Sequence, residues 1–265
     1  MNIEEMPFMG TTVHDLVSII TPSYNSSNYI CSAIQSVKAQ TFQNWEMIII
    51  DDCSYDDTLE KVNQEIQDES RIKVIQLKEN KGPAYARNLG IAAAKGNYLS
   101  FLDSDDIWLP EKLERQLMFM KRNHIAFSYT SYTIMNESGG KAKEVINVPP
   151  RTTYHSLLKN TAIGTLTVML DIKQLGLVQM PLYRDCSEDF GLWLSILSKG
   201  IHAYGLNEEL AIYRKREYSL SANKLRSAQK TWNTYRKVEK INFVSAIWYF
   251  ANYSVNALKK HSIIS

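Results

Sequence analysis

Residues 98–106 read YLSFLDSDD, a short apolar run from Tyr98 to Leu102 followed by three carboxylates within four positions. The apolar run, with Gly96 just before it, is typical of a buried strand in a parallel sheet. Adjacent carboxylates at the end of such a strand repel one another, and burial raises their pKa values. Mg²⁺ or Mn²⁺ would remove this conflict, because these hard cations bind carboxylate oxygens and keep open positions for substrate phosphates. The pattern therefore predicts a strand end that holds a metal ion and, through it, a phosphorylated ligand.

The same carboxylates allow a simpler interpretation. Asp105 or Asp106 could cap a helix that begins near Pro110, since aspartate is a good N-cap and proline is favoured at the first helical position. On these residues alone the two interpretations are equally supported, so the choice depends on what the neighbouring strands contribute.

Composition sets broad limits. With 265 residues, 45% of them apolar, the chain can build the core of one large α/β domain or of a domain with an appendage. A net charge of +2 is no signature of nucleic-acid binding, so we expect no nucleic-acid partner. Cys31, Cys53 and Cys186 lie far apart and suggest reduced thiols. The first 15 residues lack the features of a signal peptide, and we expect a cytoplasmic protein.

The first hundred residues alternate between strand and helix patterns. Such alternation predicts a parallel sheet with right-handed crossovers. The predicted strands are 16–21, 47–50, 72–75 and 98–102, and the predicted helices between them are 28–40, 56–67 and 83–94.

Three polar clusters follow three of these strands, at residues 21–25, 51–52 and 103–106. Ligands bind outside the carboxyl ends of the strands in an open parallel sheet, so we expect the clusters to line one site. The first turn contains neither the G-x-G-x-x-G pattern nor a P-loop, which argues against a dinucleotide site or a Walker-type phosphate site.

Four segments together resemble a known family. They are SIITPSYN (18–25), IDDCSYDDT (50–58), NKGPAYARNLG (80–90) and FLDSDD (101–106), and in order and spacing they resemble the family 2 glycosyltransferases of GT-A fold.

The resemblance is specific over residues 16–115 and continues more weakly to about residue 221. It implies an α/β fold with a Rossmann-like, mostly parallel sheet flanked by helices, in a domain spanning residues 1–221. Residues 16–110 would form the nucleotide-sugar half and residues 111–221 the acceptor half. It also implies an inverting transferase that uses a nucleotide-diphosphate sugar, usually UDP-linked, with Mn²⁺ or Mg²⁺.

The resemblance assigns the nucleotide to the first two strand ends. Pro22 and Tyr24 would bind it, with Tyr24 stacked on the base, and Asp52 would accept a hydrogen bond from the uracil N–H. Asp51 would orient the turn or contact the ribose. Arg87 would pair with an aspartate or with the diphosphate near the sugar. Two alternatives stay open: Tyr24 as a packed turn aromatic, and Arg87 as a structural ion pair.

The segment Asp103-Ser104-Asp105 resembles the family's D-x-D motif. By this resemblance, Asp105 binds the metal directly, and Asp103 lies nearer the ribose and the metal's water ligands. Asp106 would be a supporting partner of the metal ligand.

The pair Glu188-Asp189 resembles the family's E-D motif at the head of a helix, and apolar residues at helical spacing follow it through Leu197. The helix dipole would keep a carboxylate ionised at this position. Asp189 is thus the candidate general base, taking the proton of the acceptor hydroxyl as it attacks opposite the diphosphate. The alternative is an ordinary N-terminal cap.

Two further segments match more weakly. Residues 164–170 predict a strand facing the acceptor pocket, and residues 211–221 resemble the closing Y-R-x-H…S-x-S segment of many relatives. Arg216 stands where a histidine is common; it can pair with phosphate but cannot bind metal. Arg214, in the same segment, is a further candidate site residue.

Residues 222–265 lie outside the resemblance and form a basic, amphipathic helical tail. We predict an interfacial helix suited to an anionic cytoplasmic leaflet; the alternatives are a helix packed on the catalytic domain or a dimer contact. On one predicted face lie Asn242, Ser245, Asn252 and Asn256, and on the other Val244, Ile247, Ala251, Val255 and Leu258.

The combined prediction is an inverting, metal-dependent glycosyltransferase. It would move a sugar from a UDP-sugar to a hydroxyl of a lipid-linked glycan acceptor in bacterial surface polysaccharide synthesis, such as O-antigen or capsule. It would act at the cytoplasmic face of the inner membrane, as a monomer or homo-oligomer. The alternative function is a catalytically silent nucleotide-sugar-binding module of a glycan-assembly complex.

Overall fold

The computed structural model describes residues 15–137, 139–216 and 224–264. Within these residues, strands and helices alternate along the first half of the chain, as predicted. The strands are β1 (Val17–Ser23), β2 (Trp45–Asp51), β3 (Ile72–Gln76), β4 (Tyr98–Phe101), β5 (Ile107–Trp108), β6 (Phe127–Asn136), β7 (Lys141–Ile146), β8 (Arg151–Thr152), β9 (Met169–Asp171) and β10 (Ala203–Lys215).

The helices flank the sheet that these strands form. They are α1 (Ile30–Lys38), α2 (Thr58–Glu65), α3 (Pro83–Ala93), α4 (Lys112–Asn123), α5 (Tyr154–Lys159), α6 (Ile172–Leu175), α7 (Glu188–Leu197), α8 (Lys224–Asn233) and α9 (Phe243–Ile264). A 3₁₀ turn spans Thr165–Thr167, and a π-helical turn spans Thr234–Val238.

The sheet runs in the order β3-β2-β1-β4-β9-β6-β10-β5, with β7 paired to β6 and β8 to β10. Its first four strands are parallel, as predicted. In the second half, β10 runs parallel to β6, whereas β9 pairs antiparallel with β4 and β6. The sheet is therefore mixed, with its all-parallel part in the predicted nucleotide-sugar half.

The apolar strands are buried on both sides. Ile19 of β1 belongs to one core cluster, together with Ile34 of α1, and Ile20 belongs to the other. Successive strand residues face opposite sides of a sheet, which is why an uninterrupted apolar run marks a strand covered on both faces. Helix α3 approaches β1 closely, since a Cβ added at Gly90 would lie 2.5 Å from Cγ2 of Ile20.

The predicted strand over residues 164–170 is wrong for most of its length. The chain forms the 3₁₀ turn Thr165–Thr167, and β9 begins only at Met169. The Thr167 hydroxyl donates a hydrogen bond to the Gly164 carbonyl at 2.6 Å. Threonine favours strands by its shape, but a local bond from its side chain to the backbone stabilises a turn instead.

The tail packs on the domain, one of the arrangements that its sequence allows. Tyr235 and Ala246 are fully buried in the same core cluster as Trp193. The Nδ2 atom of Asn256 donates to the Lys159 carbonyl of α5 at 3.0 Å. The described part of the tail is therefore packed into the folded unit, and α9 contains most of the uncharged run.

Helix α9 turns its apolar face outward. Val244 is 77% exposed, and Ile247, Trp248 and Val255 are each about half exposed. Ser245, Asn252 and Asn256, on the polar face, are half-buried. Among the residues described, none of the helices combines the length and hydrophobicity that crossing a bilayer requires.

Lys112 at the start of α4 is fully buried. Its Nζ atom lies 3.3 Å from Oγ of Ser100 and 3.8 Å from the centre of the Trp108 ring. In the described parts of the chain no carboxylate pairs with it. Burial therefore lowers the pKa of the Lys112 ammonium well below its ordinary value.

Replacing Lys112 with methionine should increase the free energy of unfolding, by an amount that shrinks as pH rises. In the unfolded chain the lysine holds its proton up to about pH 10.4, whereas the buried amine does not. The unfolded state thus binds more protons, so wild-type stability rises with pH, by up to about 1.4 kcal/mol per pH unit. Urea unfolding of both proteins from pH 7 to 9 measures the difference.

The matched control is Lys199→Met, at an exposed position. Its difference from wild type should not depend on pH in this range. If the difference in free energy of unfolding between Lys112→Met and wild type stays constant with pH, Lys112 keeps its proton in the folded state.

Candidate active site

The carboxyl ends of β1, β2 and β4 border a cleft of about 690 Å³. Residues from both predicted halves line it, so the chain brings together side chains that are far apart in sequence. Of the predicted site residues, Pro22, Tyr24, Asp52, Arg87, Asp103, Asp105, Asp106, Glu188, Asp189 and Arg216 line the cleft. Asp51 and Arg214 do not line the cleft. Asp51 accepts a hydrogen bond from Ser54 N in the turn after β2, and Arg214 N donates one to Asp106.

At one end of the cleft, the Tyr24 ring is 45% exposed and meets Tyr55 edge to face, with 6.1 Å between ring centres. The ring therefore packs on one neighbour and keeps an exposed part that lines the cleft. The turns after β1 and β2 are joined: Asn25 N donates to Ser54 Oγ at 2.9 Å, and Tyr55 N donates to Asn25 Oδ1 at 3.1 Å. The Tyr24 ring is thus carried by two connected turns.

Asp52 is held by the loop that leads into α3. Its Oδ1 accepts a hydrogen bond from Lys81 N at 2.7 Å, and its Oδ2 accepts one from Gly82 N at 2.8 Å. Gly82 has φ +87°, a conformation that favours glycine. Each carboxylate oxygen keeps a second lone pair for a ligand. Asp51, buried behind the turn, accepts from Ser54 N at 3.0 Å and thereby orients the turn.

Arg87 joins the two halves of the site. Its guanidinium is buried and contacts Asp103 Oδ1 at 2.5 Å and Glu188 Oε1 at 2.9 Å. Burial opposes the charge, but the two carboxylates outweigh it and raise the pKa of Arg87. The structural ion pair considered for Arg87 is therefore present, and it lies inside the cleft.

The acidic strand end also contacts β10. Arg216 Nη1 lies 3.1 Å from Asp105 Oδ2, and Arg214 N donates to Asp106 Oδ1 at 2.9 Å. Burial and the neighbouring Asp103 raise the pKa of Asp105; burial and Asp105 raise the pKa of Asp106 well above its ordinary value.

The capping interpretation of these carboxylates is wrong, because α4 begins only at Lys112, after Glu111. The donor set suits a hard divalent cation: clustered carboxylate oxygens whose charged forms are disfavoured by burial and by one another. Within the described ranges, no three His, Cys, Asp or Glu side chains form a complete metal-binding group. Asp105 pairs with Arg216, whereas Asp103 pairs with Arg87.

Asp189 lies in the first turn of α7, as predicted, and both of its oxygens accept hydrogen bonds. Phe190 N donates to Oδ1 at 2.7 Å, and Thr165 Oγ1 donates to Oδ2 at 2.6 Å. One of these donors belongs to the helix and the other lies outside it. The helix cap itself is Ser187.

Several residues that line the cleft were not among the predicted site residues, among them Thr165, Tyr132 and Tyr213. Thr165 lies in the 3₁₀ turn, and Tyr132 and Tyr213 lie in β6 and β10 with 6.5 Å between their ring centres. Tyr213 is the tyrosine of the segment that resembles Y-R-x-H but was not chosen as a site residue, and Thr165 was expected in a strand. Tyr132 lies in an ordinary strand pattern, and no local signal in the sequence distinguishes it.

Comparisons with known proteins agree with this geometry. A model of the family described as Glycosyl transferase family 2 matches residues 18–170. The chain is 48% identical over 245 residues to TuaG of Bacillus subtilis (strain 168), a glycosyltransferase named for teichuronic acid biosynthesis; the match covers 92% of this chain and 97% of TuaG. It is 42% identical over 248 residues to Escherichia coli WfgD, named UDP-Glc:alpha-D-GlcNAc-diphosphoundecaprenol beta-1,3-glucosyltransferase, with 93% and 95% covered.

Two solved structures share the fold. S. aureus TarS 1-349 in complex with UDP-GlcNAc gives a TM-score of 0.69 at 22% identity, covering 89% of this chain and 71% of that one. The mannosyltransferase PcManGT from Pyrobaculum calidifontis, in complex with GDP-Man and Mn²⁺, gives 0.67 at 15% identity, covering 93% and 75%. These likenesses confirm the predicted fold class. By the family match and by the near-complete coverage of its relatives, this chain belongs to glycosyl transferase family 2 and is a glycosyltransferase.

Proposed function

We propose that this glycosyltransferase is inverting and metal-dependent, and that it moves a sugar from a UDP-sugar to a hydroxyl of a lipid-diphosphate-linked glycan in surface polysaccharide synthesis. The observation that carries the proposal is the shared cleft: the Tyr24–Asp52 turns, the acidic end of β4 and the Asp189 carboxylate line one cavity. A nucleotide, a diphosphate and a reacting sugar need these three kinds of group in one site.

The nucleotide end suits a uracil base. The exposed ring of Tyr24 is a stacking platform, and Asp52, fixed by two backbone N–H groups, offers free lone pairs to a ring N–H donor. Relatives support a UDP-linked donor, since WfgD is named for UDP-Glc and the TarS structure contains UDP-GlcNAc. Which sugar is transferred depends on a few hydrogen bonds to ring hydroxyls.

Asp105 would hold the divalent cation, with Asp106 behind it and Asp103 on the ribose side. The bound cation would neutralise charge on the leaving diphosphate. Arg216, already within 3.1 Å of Asp105, can pair with the diphosphate from the other side.

Asp189 would act as the general base. Its carboxylate takes the proton of the acceptor hydroxyl while that oxygen forms a bond to the anomeric carbon. The bond between the anomeric carbon and the diphosphate oxygen breaks on the opposite face, so a single displacement inverts the centre. Glu188 is engaged with Arg87, which leaves Asp189 as the carboxylate of the pair that is free of an ion pair among the described residues.

We also propose that the outward face of α9 lies on an anionic membrane, where a lipid-linked acceptor would be found. The names of WfgD and WfaP from Escherichia coli specify a diphosphoundecaprenol acceptor. The exposed basic residues Lys224, Arg236 and Lys240 lie near this helix in sequence. The acidic residue of this region, Glu239, accepts a hydrogen bond from the Tyr154 hydroxyl at 2.8 Å. Apolar burial and basic charge act together at such a surface, each basic residue contributing about 1 kcal/mol.

The donor site can be tested by the binding of UDP. UDP should bind more tightly with Mn²⁺ than with chelator, and Asp105→Ala should remove this difference. We expect a loss of roughly 10–100-fold in the metal-dependent affinity, the range seen when metal-site partners are removed. Isothermal titration of UDP into each protein measures it. Asp68→Ala, at an exposed position of the α2 end, is the matched control. Equal UDP affinity with metal and with chelator would contradict metal dependence.

Replacing the candidate base separates an active enzyme from a silent binding module. Asp189→Asn should keep UDP affinity and reduce transfer roughly 10²–10⁴-fold, because the amide cannot take the proton. Transfer from UDP-glucose to a synthetic GlcNAc-diphospholipid is the first assay. Asp185→Asn, an exposed carboxylate that pairs with Lys237, controls for a lost charge nearby. If Asp189→Asn transfers at the wild-type rate, Asp189 is not the base.

Negative charge placed on the outward face of α9 tests the proposed membrane contact. The double variant Val244→Glu/Ile247→Glu should no longer sediment with phosphatidylglycerol vesicles but should bind UDP as wild type does. Asn63→Glu/Gln64→Glu on exposed positions of α2 adds the same charge elsewhere and should still sediment. Point variants are preferable to removing α9, whose Ala246 is buried in the core. Undiminished sedimentation of the double variant, or wild-type dimers without vesicle binding, would rule the proposal out.

A further inference from the structure

Asp189 receives a hydrogen bond from outside its own helix. Thr165 Oγ1 donates to Asp189 Oδ2 at 2.6 Å, and Thr165 is buried and lines the cleft. We infer that Thr165 is a positioning residue, which fixes the Asp189 carboxylate so that its free lone pairs face the acceptor hydroxyl. The inference rests on the proposed role of Asp189 as general base.

Two contacts are needed to fix this carboxylate. Phe190 N holds only Oδ1, at 2.7 Å, and rotation about the terminal torsion of an aspartate is broad. The Thr165 hydroxyl holds Oδ2 and so sets the plane of the group. About four lone-pair positions are available on a carboxylate, and two remain after these bonds. A misplacement of about 1 Å can reduce a rate 10²-fold, so this constraint matters for proton transfer.

The 3₁₀ turn that carries Thr165 is itself anchored. Trp108 Nε1 donates to the Leu166 carbonyl at 2.8 Å, and Gln116 Nε2 donates to the Thr167 carbonyl at 2.9 Å. Trp108 and Gln116 are both buried. The turn is therefore tied to β5 and α4, elements separate from α7, and its hydroxyl is a fixed reference for the base.

The charges around Asp189 are compatible with this role. Arg87, from α3, is close enough for its pKa to be raised in part by Asp189, and Glu188 pairs with that guanidinium at 2.9 Å. Tyr132 of β6 and Tyr213 of β10 line the same cleft. Thr165 supplies an uncharged donor, which holds the carboxylate without forming an ion pair.

The test compares Thr165→Val, which keeps the shape and removes the hydroxyl, with Thr165→Ser, which keeps the hydroxyl. Thr165→Val should reduce kcat about 10–100-fold, with UDP affinity unchanged. The value of kcat/KM should fall by the same factor, because the contact acts on the base and not on substrate binding. Thr165→Ser should restore both values. Thr165→Ala serves as a second variant if valine does not fold.

A second readout does not need transfer. The carboxyl carbon of Asp189 can be observed by NMR of ¹³C-aspartate-labelled protein, with Asp189→Asn to assign the signal. Its chemical shift should change in Thr165→Val, which removes the hydrogen bond to Oδ2, and remain unchanged in Thr130→Val, a buried threonine whose hydroxyl has no partner in the described chain.

Each outcome bears on one claim. A wild-type kcat and a wild-type Asp189 carboxyl chemical shift in Thr165→Val, or a failure of Thr165→Ser to restore them, would overturn the role of Thr165. Full transfer by Asp189→Asn would instead overturn the proposed base, while the NMR spectrum would still report whether Thr165 holds that carboxylate.

Discussion

The site depends on the two ion pairs that the buried guanidinium of Arg87 forms. The guanidinium contacts Asp103 at the end of β4 and Glu188 at the start of α7, two points 85 residues apart that belong to different halves of the chain. A buried charge is tolerated only when partners compensate for its lost hydration. Because both carboxylates contact the same guanidinium, the strand end and the helix start are held at a fixed separation.

This separation determines what the neighbouring residues can do. Asp105 follows Asp103 by two positions, and Asp189 follows Glu188 by one. The ion-paired members of the two motifs thus act as anchors, and their neighbours face the cleft with other partners: Arg216 for Asp105 and Thr165 for Asp189. The arrangement explains how adjacent acidic residues of one motif can have different tasks.

Much of this was predictable from the sequence, for physical reasons. The run from Tyr98 to Leu102 is mostly apolar because both sides of β4 are covered, and Asp52 and Asp103 line one cleft because parallel strands end at one edge. Thr165 was not predictable, since its turn depends on contacts with Trp108 and on the Thr167 hydroxyl, which no local pattern reveals. Helical periodicity likewise separates the two faces of α9 but does not tell which one packs on the domain.

The tail is more than an extension, because it supports the helix that carries the candidate base. Thr234 Oγ1 accepts a hydrogen bond from Ser187 N, the cap position of α7, at 3.0 Å, and the Tyr235 ring packs against Phe190 with 6.0 Å between centres. These contacts lie immediately before α9, whose apolar face is exposed. A surface that holds α9 would therefore also orient α7, since both belong to one packed core. In this fold, the position of the cleft relative to any bound surface is set by packing rather than by a linker.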